Sequence, residues 1–219
     1  MTGWRVIDTA RRTDYCPIAL DLRDEFTGGP IRGEAQLSLE IQDGANWIPA
    51  TKGARRNGSG LYVFTGLGRA ADPAALPQFR VRVQVSAPYY RPLYRLTDDA
   101  IEFDVGSYND AAPPVVSSIQ PRVVLMLPTA GYRYAGHIRT IKGRVLDAGG
   151  APVADAEVAA DGVERVITGP DGGFSVPLRW QDPNANVAIA VQHPRSGRTA
   201  AANLTLPAAL TGNHDLIIT

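Results

Sequence analysis

The chain of 219 residues has little cysteine and no net charge. Cys16 is its single cysteine, so no disulfide can form within the chain. Lys and Arg together number 22, as do Asp and Glu, and this balance gives no field that would attract nucleic acid or an anionic membrane. No apolar run approaches the ~20 residues that a transmembrane helix needs. We therefore expect neither a nucleic-acid partner nor insertion into a membrane.

Motifs that carry catalysis or bind metals are equally scarce. His137, His193 and His214 have no metal-ligand spacing, and the sequence holds no Gly-x-Ser-x-Gly elbow and no phosphate-binding loop. We predict no catalytic residues, no metal site and no cofactor, and a chain that is not an enzyme. Four carboxylates cluster before and within a predicted strand, and we expect them to face the solvent. A calcium site is the alternative, although the usual calcium-binding loop is missing. The four carboxylates are those of Asp98, Asp99, Glu102 and Asp104.

Gly and Pro are abundant instead, at 22 and 17 residues, as is typical of a protein built from strands and turns. Apolar and polar residues alternate at residues 18–22 and 79–85, which is the period of a half-buried strand. The run RVVLML at 122–127 is continuously apolar, which predicts a strand buried on both faces. We expect this strand to open a second domain or to lie between two domains.

Three turn-bearing motifs follow one another between residues 141 and 178. They are G-x-V-x-D at 143–147, G-x-P-V-x-x-A-x-V at 150–158 and T-x-x-D-G-x-F at 168–174. Gly and Pro clusters force chain reversals, so this stretch predicts a small antiparallel β-sandwich. In this order the motifs resemble the carboxypeptidase regulatory-like family, whose domains have a transthyretin-like fold. The resemblance covers roughly residues 138–219 and implies an accessory domain without catalytic residues of its own.

A weaker version of the same pattern occurs in the N-terminal half. Asp24 and Pro30 parallel Asp147 and Pro152, and NGSGLYVF parallels DGGFSV. An unrelated β domain with the same turn chemistry is the alternative. We predict an all-β protein of two tandem Ig-like or transthyretin-like antiparallel β-sandwiches. The predicted parts are an N-terminal domain at 1–105, a Pro-rich linker at 106–121 and a carboxypeptidase regulatory-like domain at 122–219.

Tyrosines and arginines cluster in two predicted loops, APYYRPLYRL and GYRYAGH. Both residue types are enriched at the energetic centres of protein interfaces. We predict a protein–protein interface, with packing over the ends of the sandwiches or ligand stacking as alternatives. The predicted interface residues are Tyr89, Tyr90, Arg91, Tyr94, Arg95, Tyr132, Arg133 and Tyr134.

Bacterial chains of this kind also resemble, more weakly, accessory proteins of phage-tail-like contractile injection systems. That resemblance implies a structural protein, a cap or baseplate accessory, whose partners are other protein subunits and itself. The first residues show no secretory signal, so we expect a cytoplasmic location, with release as part of a particle. One alternative is a module that binds carbohydrate or a surface ligand. Glycan binding would then quench the fluorescence emission of Trp47 or Trp180. A transthyretin-like hydrolase is less favoured, because the Tyr-Arg-Gly-Ser type ending of those enzymes is missing.

Overall fold

The computed structural model describes residues 16–67, 78–92, 101–106 and 120–219. In these ranges every regular element is a β-strand except a single 3₁₀ turn at Ala208–Leu210. The prediction of an all-β protein is therefore confirmed. No helix of the described ranges is long and apolar enough to cross a membrane.

The strands up to residue 128 form two sheets. They are β1 (Ile18–Asp24), β2 (Gln36–Asp43), β3 (Asn46–Pro49), β4 (Arg55–Arg56), β5 (Tyr62–Phe64), β6 (Gln78–Ser86), β7 (Tyr90–Pro92), β8 (Ile101–Gly106) and β9 (Arg122–Pro128). One sheet has the order β4-β5-β1-β9-β7 and the other β3-β2-β6-β8. Both sheets contribute to one buried apolar cluster, so the first core lies between them.

The strands from residue 139 onward form two further sheets. They are β10 (Arg139–Asp147), β11 (Glu157–Ala160), β12 (Glu164–Ile167), β13 (Gly173–Leu178), β14 (Asn186–Gln192), β15 (Thr199–Thr205) and β16 (Asn213–Ile218). Their orders are β13-β10-β16 and β12-β11-β14-β15. A second apolar cluster lies among them. In β14 the inward Val187, Ile189 and Val191 alternate with exposed residues, which is the period of a half-buried strand.

The two halves share one order of strand pairing. The first strand of each half is central: β1 pairs antiparallel with β5 and parallel with β9, and β10 pairs antiparallel with β13 and parallel with β16. Each four-stranded sheet has a hairpin at one edge, β2–β3 or β11–β12, with the second strand of the hairpin outermost. The first strand of the hairpin then pairs with β6 or β14, which pairs in turn with β8 or β15. The turn after the first strand also matches. The Asp24 N–H donates to the Gly29 carbonyl at 2.8 Å, and the Asp147 N–H donates to the Ala151 carbonyl at 2.9 Å.

The position of β9 differs from the sequence expectation. Its paired neighbours are β1 and β7, both of the N-terminal half, whereas we expected this strand to open a second domain or to lie between two domains. The prediction that both faces of this run are buried is wrong. Val124 and Met126 point into the first core, but Val123 and Leu125 are 57% and 47% exposed. A continuous apolar run therefore does not ensure that a strand is covered on both sides. Most of the predicted linker lies outside the described residues.

Candidate functional site at the junction of the two halves

A buried carboxylate, Asp24, lies where β1 enters its turn. Its Oδ1 atom accepts hydrogen bonds from the backbone N–H groups of Phe26 at 2.9 Å and Thr27 at 3.4 Å. Its Oδ2 atom accepts hydrogen bonds from the hydroxyls of Tyr132 at 2.8 Å and Tyr90 at 3.1 Å. Four donors thus satisfy a carboxylate that has no access to water, which is the condition for keeping such a group buried.

Tyr90 and Tyr132 form the walls of this site. Their rings meet edge to face with centroids 5.4 Å apart. The backbone N–H of Arg32 donates to the Tyr90 hydroxyl at 3.1 Å, and the Arg32 guanidinium carbon lies 5.2 Å from the centre of the Tyr132 ring. Burial raises the pKa of both phenols, and the hydrogen bond to the Asp24 carboxylate raises each pKa further. Both hydroxyls therefore stay protonated and act as donors.

Phe26 and Tyr134 extend the aromatic contacts toward the second half. The Phe26 ring lies 5.9 Å from the Tyr132 ring and 4.9 Å from the Tyr134 ring, edge to face in both cases. The Tyr134 hydroxyl donates to the backbone carbonyl of Ser175 in β13 at 3.3 Å. Burial is the main cause that raises the pKa of Tyr134. The aromatic cluster therefore reaches from the first turn of the N-terminal half to a strand of the C-terminal half.

Arg179 closes the cluster from the C-terminal half. Its guanidinium carbon lies 4.2 Å from the centre of the Phe26 ring, and its Nη1 donates to the Phe26 carbonyl at 2.7 Å. The remaining nitrogens form a two-point ion pair with Glu164, with Nη2 at 2.9 Å from Oε2. Glu164 is only 1% exposed, so its carboxylate needs a partner within the protein, and the planar guanidinium of Arg179 supplies it at two points.

Further contacts flank the aromatic cluster. Arg165 of β12 pairs with Glu25 at 2.7 Å and with Glu157 at 3.3 Å, and Arg91 of β7 pairs with Asp155. The pairs Arg165–Glu25 and Arg91–Asp155 connect side chains of the two halves at separate points, whereas Arg165–Glu157 lies within the C-terminal half. The two connecting pairs restrict how one half can turn against the other.

Two buried aliphatic side chains belong to neither core. Leu127 of β9 and Ile167 of β12 are almost completely inaccessible, yet neither is part of the two apolar clusters. Strands β9 and β12 contact each other. We place both side chains in the apolar centre of the junction, with the ion pairs around it. Desolvated apolar surface inside a charged rim is the usual organisation of a stable protein interface.

An open groove of about 500 Å³ lies beside the junction. It is lined by residues of β2, β6 and β7 together with the charged side chains of Arg91, Asp155 and Arg195. Across the part of the chain that the structure describes, no group of three or more His, Cys, Asp or Glu side chains is placed to hold a metal ion. The chemistry that this region offers is hydrogen bonding and charge pairing between protein segments.

The structure places several of the predicted interface residues inside this junction. Tyr90 and Tyr132 are buried against Asp24, so their rings have no surface to offer to another protein. Tyr134 is half-buried under Phe26, and Arg91 is paired with Asp155. The alternative that loop tyrosines pack over the ends of the sheets describes these side chains better.

The other predicted interface residues have different positions. Tyr89 is 38% exposed, and Arg133 is exposed while its carbonyl accepts a hydrogen bond from Arg32 at 3.1 Å. Tyr94 and Arg95 lie outside the described residues. A role for Tyr89 and Arg133 in binding another protein stays a prediction.

Sequence reasoning missed most of the polar residues of the junction. The turn at 24–30 was recognised, but not the burial of its aspartate. One signal was present in β12, where Glu164 has the strand parity of the core residue Val166, and a charged side chain at an inward position needs a partner. The residues missed are Asp24, Glu25, Phe26, Glu164, Arg165 and Arg179.

The chain was compared with models of protein families, with curated proteins and with solved structures, and none of the three comparisons found a match.

Proposed function

We propose that the chain is a non-catalytic structural or interaction protein in which two β-sandwiches act as one rigid adaptor within a larger protein assembly. The junction is the observation that carries this proposal. Its buried Asp24 and Glu164 are both hydrogen-bonded, and Arg179, the partner of Glu164, reaches across to the Phe26 carbonyl of the other half. A fixed orientation of two halves is what an adaptor needs in order to hold two neighbours at a set distance.

The shared pairing order of the two halves supports the proposal of tandem transthyretin-like sandwiches. The matching turns after β1 and β10 support it as well. Gly143 gives the resemblance to the carboxypeptidase regulatory-like family a physical basis. A Cβ atom there would lie 2.0 Å from the His214 carbonyl oxygen and 2.7 Å from the Phe174 ring, so a side chain has no room at this motif position.

Exposed large side chains support contacts with other proteins. Trp180 is 74% exposed and Val163 is 57% exposed. Trp180 directly follows Arg179, whose guanidinium carbon lies 5.9 Å from the centre of the indole. Tryptophan and arginine are the residue types that contribute most binding energy at interfaces. The partners we propose are the other subunits of a phage-tail-like contractile injection particle, with this protein as a cytoplasmic cap or baseplate accessory.

The test is sedimentation of the tagged protein from a native cell lysate, followed by mass spectrometry of the proteins that pellet with it. We expect sheath and tube proteins in the pellet. Trp180→Ala should reduce this co-sedimentation, whereas Ile48→Ala, at another exposed apolar position, should leave it unchanged. A protein that stays in the supernatant without companions would contradict the proposal.

The exposure of Trp180 also favours a second candidate, a module that binds a carbohydrate or a surface ligand by stacking. Trp47 is less suited, because the Arg82 guanidinium carbon already lies 4.6 Å from the centre of its ring. Quenching of tryptophan emission by a glycan, lost in Trp180→Phe, would support this candidate. No change in emission across a glycan array would reject it.

A further inference from the structure

The edge strand β15 differs from the other edge strands of the described sheets. Natural edge strands usually carry charge, proline or a covering segment that discourages pairing with another chain. Here β3, β7 and β13 contain proline, β4 is two arginines, and β8, β12 and β16 carry acidic residues. Strand β15 has seven residues, TAAANLT, without charge, proline or glycine.

Three sets of backbone hydrogen bonds fix which residues of β15 face its free edge. Thr199 exchanges both of its backbone hydrogen bonds with Thr219, at 3.1 Å each, on the side away from β14. On the β14 side, the Leu206 N–H donates to the Ala185 carbonyl at one end of the strand, and the His193 N–H donates to the Arg198 carbonyl at the other, at 2.9 Å each. Backbone groups of an antiparallel strand alternate between its two sides. The groups of Ala201, Asn203 and Thr205 therefore point away from β14.

The available part of this edge is bounded on both sides. Thr219 occupies the place beside Thr199, and Pro207 has no N–H to donate. Between them, no described strand pairs with the outward side of residues 201–205. This run offers three residues with alternating free donors and acceptors, as a strand template does.

We propose that residues 201–205 pair antiparallel with the same residues of a second copy of this chain, about a two-fold axis at Asn203. The inference deepens the proposed function and rests on it, because a protein that works within an assembly is expected from the sequence analysis to have a second copy of itself among its partners. In this register Ala201 faces Thr205 of the second copy, and Asn203 faces its equivalent. Each facing pair exchanges two backbone hydrogen bonds, and the two four-stranded sheets become one sheet of eight strands.

The side chains favour a second copy over an unrelated strand. A carboxamide has both a donor and an acceptor, so Asn203 can pair with itself across the axis. On the core-facing side Leu204 meets Ala202 of the second copy, a large residue beside a small one, and both are half-buried against the second core. The strand carries no charge, so two copies of it can pair without electrostatic repulsion. A charged strand of another protein would find no opposite charge on β15 to pair with.

The experiment measures the mass of the purified full chain by sedimentation equilibrium. We expect the wild type to show twice the mass of one chain. Asn203→Lys and Asn203→Asp should each be monomeric, because like charges would face each other across the axis. An equimolar mixture of the two variants should regain the dimer. Ala190→Lys is the matched control, because it adds the same charge to an exposed position of β14 in register with Ala201, and it should remain dimeric.

Three outcomes would overturn the inference: a monomeric wild type, a dimeric Asn203→Lys, or a mixture of the Lys and Asp variants that stays monomeric. Failure of this inference can be told from failure of the proposed function. A monomeric pure protein that still pellets with sheath and tube proteins rejects only the pairing of β15. A dimer that pellets with nothing rejects the assembly role and leaves the pairing standing.

Discussion

The hydroxyl of Tyr132 donates a hydrogen bond of 2.8 Å to the carboxylate of Asp24, and 108 positions of sequence separate the two residues. Asp24 ends the first strand of the N-terminal half, and Tyr132 follows its last strand, β9. The bond therefore joins the two ends of this half. Because Phe26 packs on Tyr132 and accepts a hydrogen bond from Arg179, the same contact also orders the junction with the other half.

Replacing Tyr132 with Phe should lower the free energy of unfolding by about 1.5–3 kcal/mol, the usual contribution of a hydrogen bond to a charged group. The ring and its packing are kept, while one donor to the buried Asp24 carboxylate is lost. Urea denaturation followed by circular dichroism measures the change. Tyr89→Phe is the control, because the exposed Tyr89 should tolerate the loss of its hydroxyl. Equal effects of the two substitutions would contradict the role given to Asp24.

The raised pKa of the buried phenols predicts sensitivity to alkali. Burial, followed by the bond to Asp24, raises the pKa of Tyr132 in the folded state, whereas in the unfolded chain it is about 10. The stabilisation from the protonated phenol is fully present below about pH 10 and is lost as the pH rises through the folded-state pKa. Unfolding should therefore begin above about pH 10.

The absorbance of tyrosinate measures the ionisation of the phenols as the pH is raised. Of the eight tyrosines, we expect Tyr90, Tyr132 and Tyr134 to ionise only together with unfolding. In denaturant all eight should titrate in one step, which calibrates the amplitude. A single step near pH 10 in the folded protein, without loss of structure, would show that these phenols are not protected.

Gly143→Ala should be strongly destabilising, by about 3 kcal/mol or more, because overpacking is most costly where the neighbour cannot move. The added methyl group would overlap the His214 carbonyl of β16 and the Phe174 ring. Moving that carbonyl would break the parallel pairing of β10 with β16. Gly136→Ala is the control, since no atom lies within 4 Å of a Cβ at that position. Thermal unfolding of both variants measures the difference, and equal melting temperatures would count against the close approach.

Arg179→Met should cost about 3 kcal/mol, because it leaves the buried Glu164 without a cation. Adding Glu164→Leu should recover most of the loss, since the charge that lacks a partner is then removed. Arg144→Met breaks the exposed pair with Asp215 and should leave the stability almost unchanged, because an ion pair in water contributes little. Chemical denaturation of the four proteins gives the comparison. A double variant as unstable as Arg179→Met would mean that packing of the arginine, rather than its charge, stabilises the junction.

The strands were largely predictable from the sequence because the signals for them are local. Alternation in β1 and β6 is visible within a few residues, and it marked residues that enter the first core. The turn after β10 was equally visible. Asp147 accepts hydrogen bonds from the N–H groups of Gly149 and Ala151 at 2.9 Å, which is the local bonding that favours aspartate in turns.

The junction was not predictable in the same way, because its contacts join residues distant in sequence. Arg179 and the Phe26 carbonyl are 153 positions apart, and no period or motif records such a pairing. The partners of strand β9 stayed open for a related reason. Hydrophobicity shows that Val124 and Met126 enter a core, but not which core, and the exposed Val123 and Leu125 look no different in the sequence.

The parallel pairing of β1 with β9 sets the order of events on the ribosome. Strand β1 leaves the exit tunnel early, but its parallel neighbour starts at residue 122, about 100 residues later. At roughly 5–20 residues per second, β1 waits on the order of 5–20 s with one side of its backbone unpaired. The N-terminal half can therefore complete this sheet only after residues 122–126 have been translated, and a nascent chain arrested before residue 122 is a natural client for chaperones.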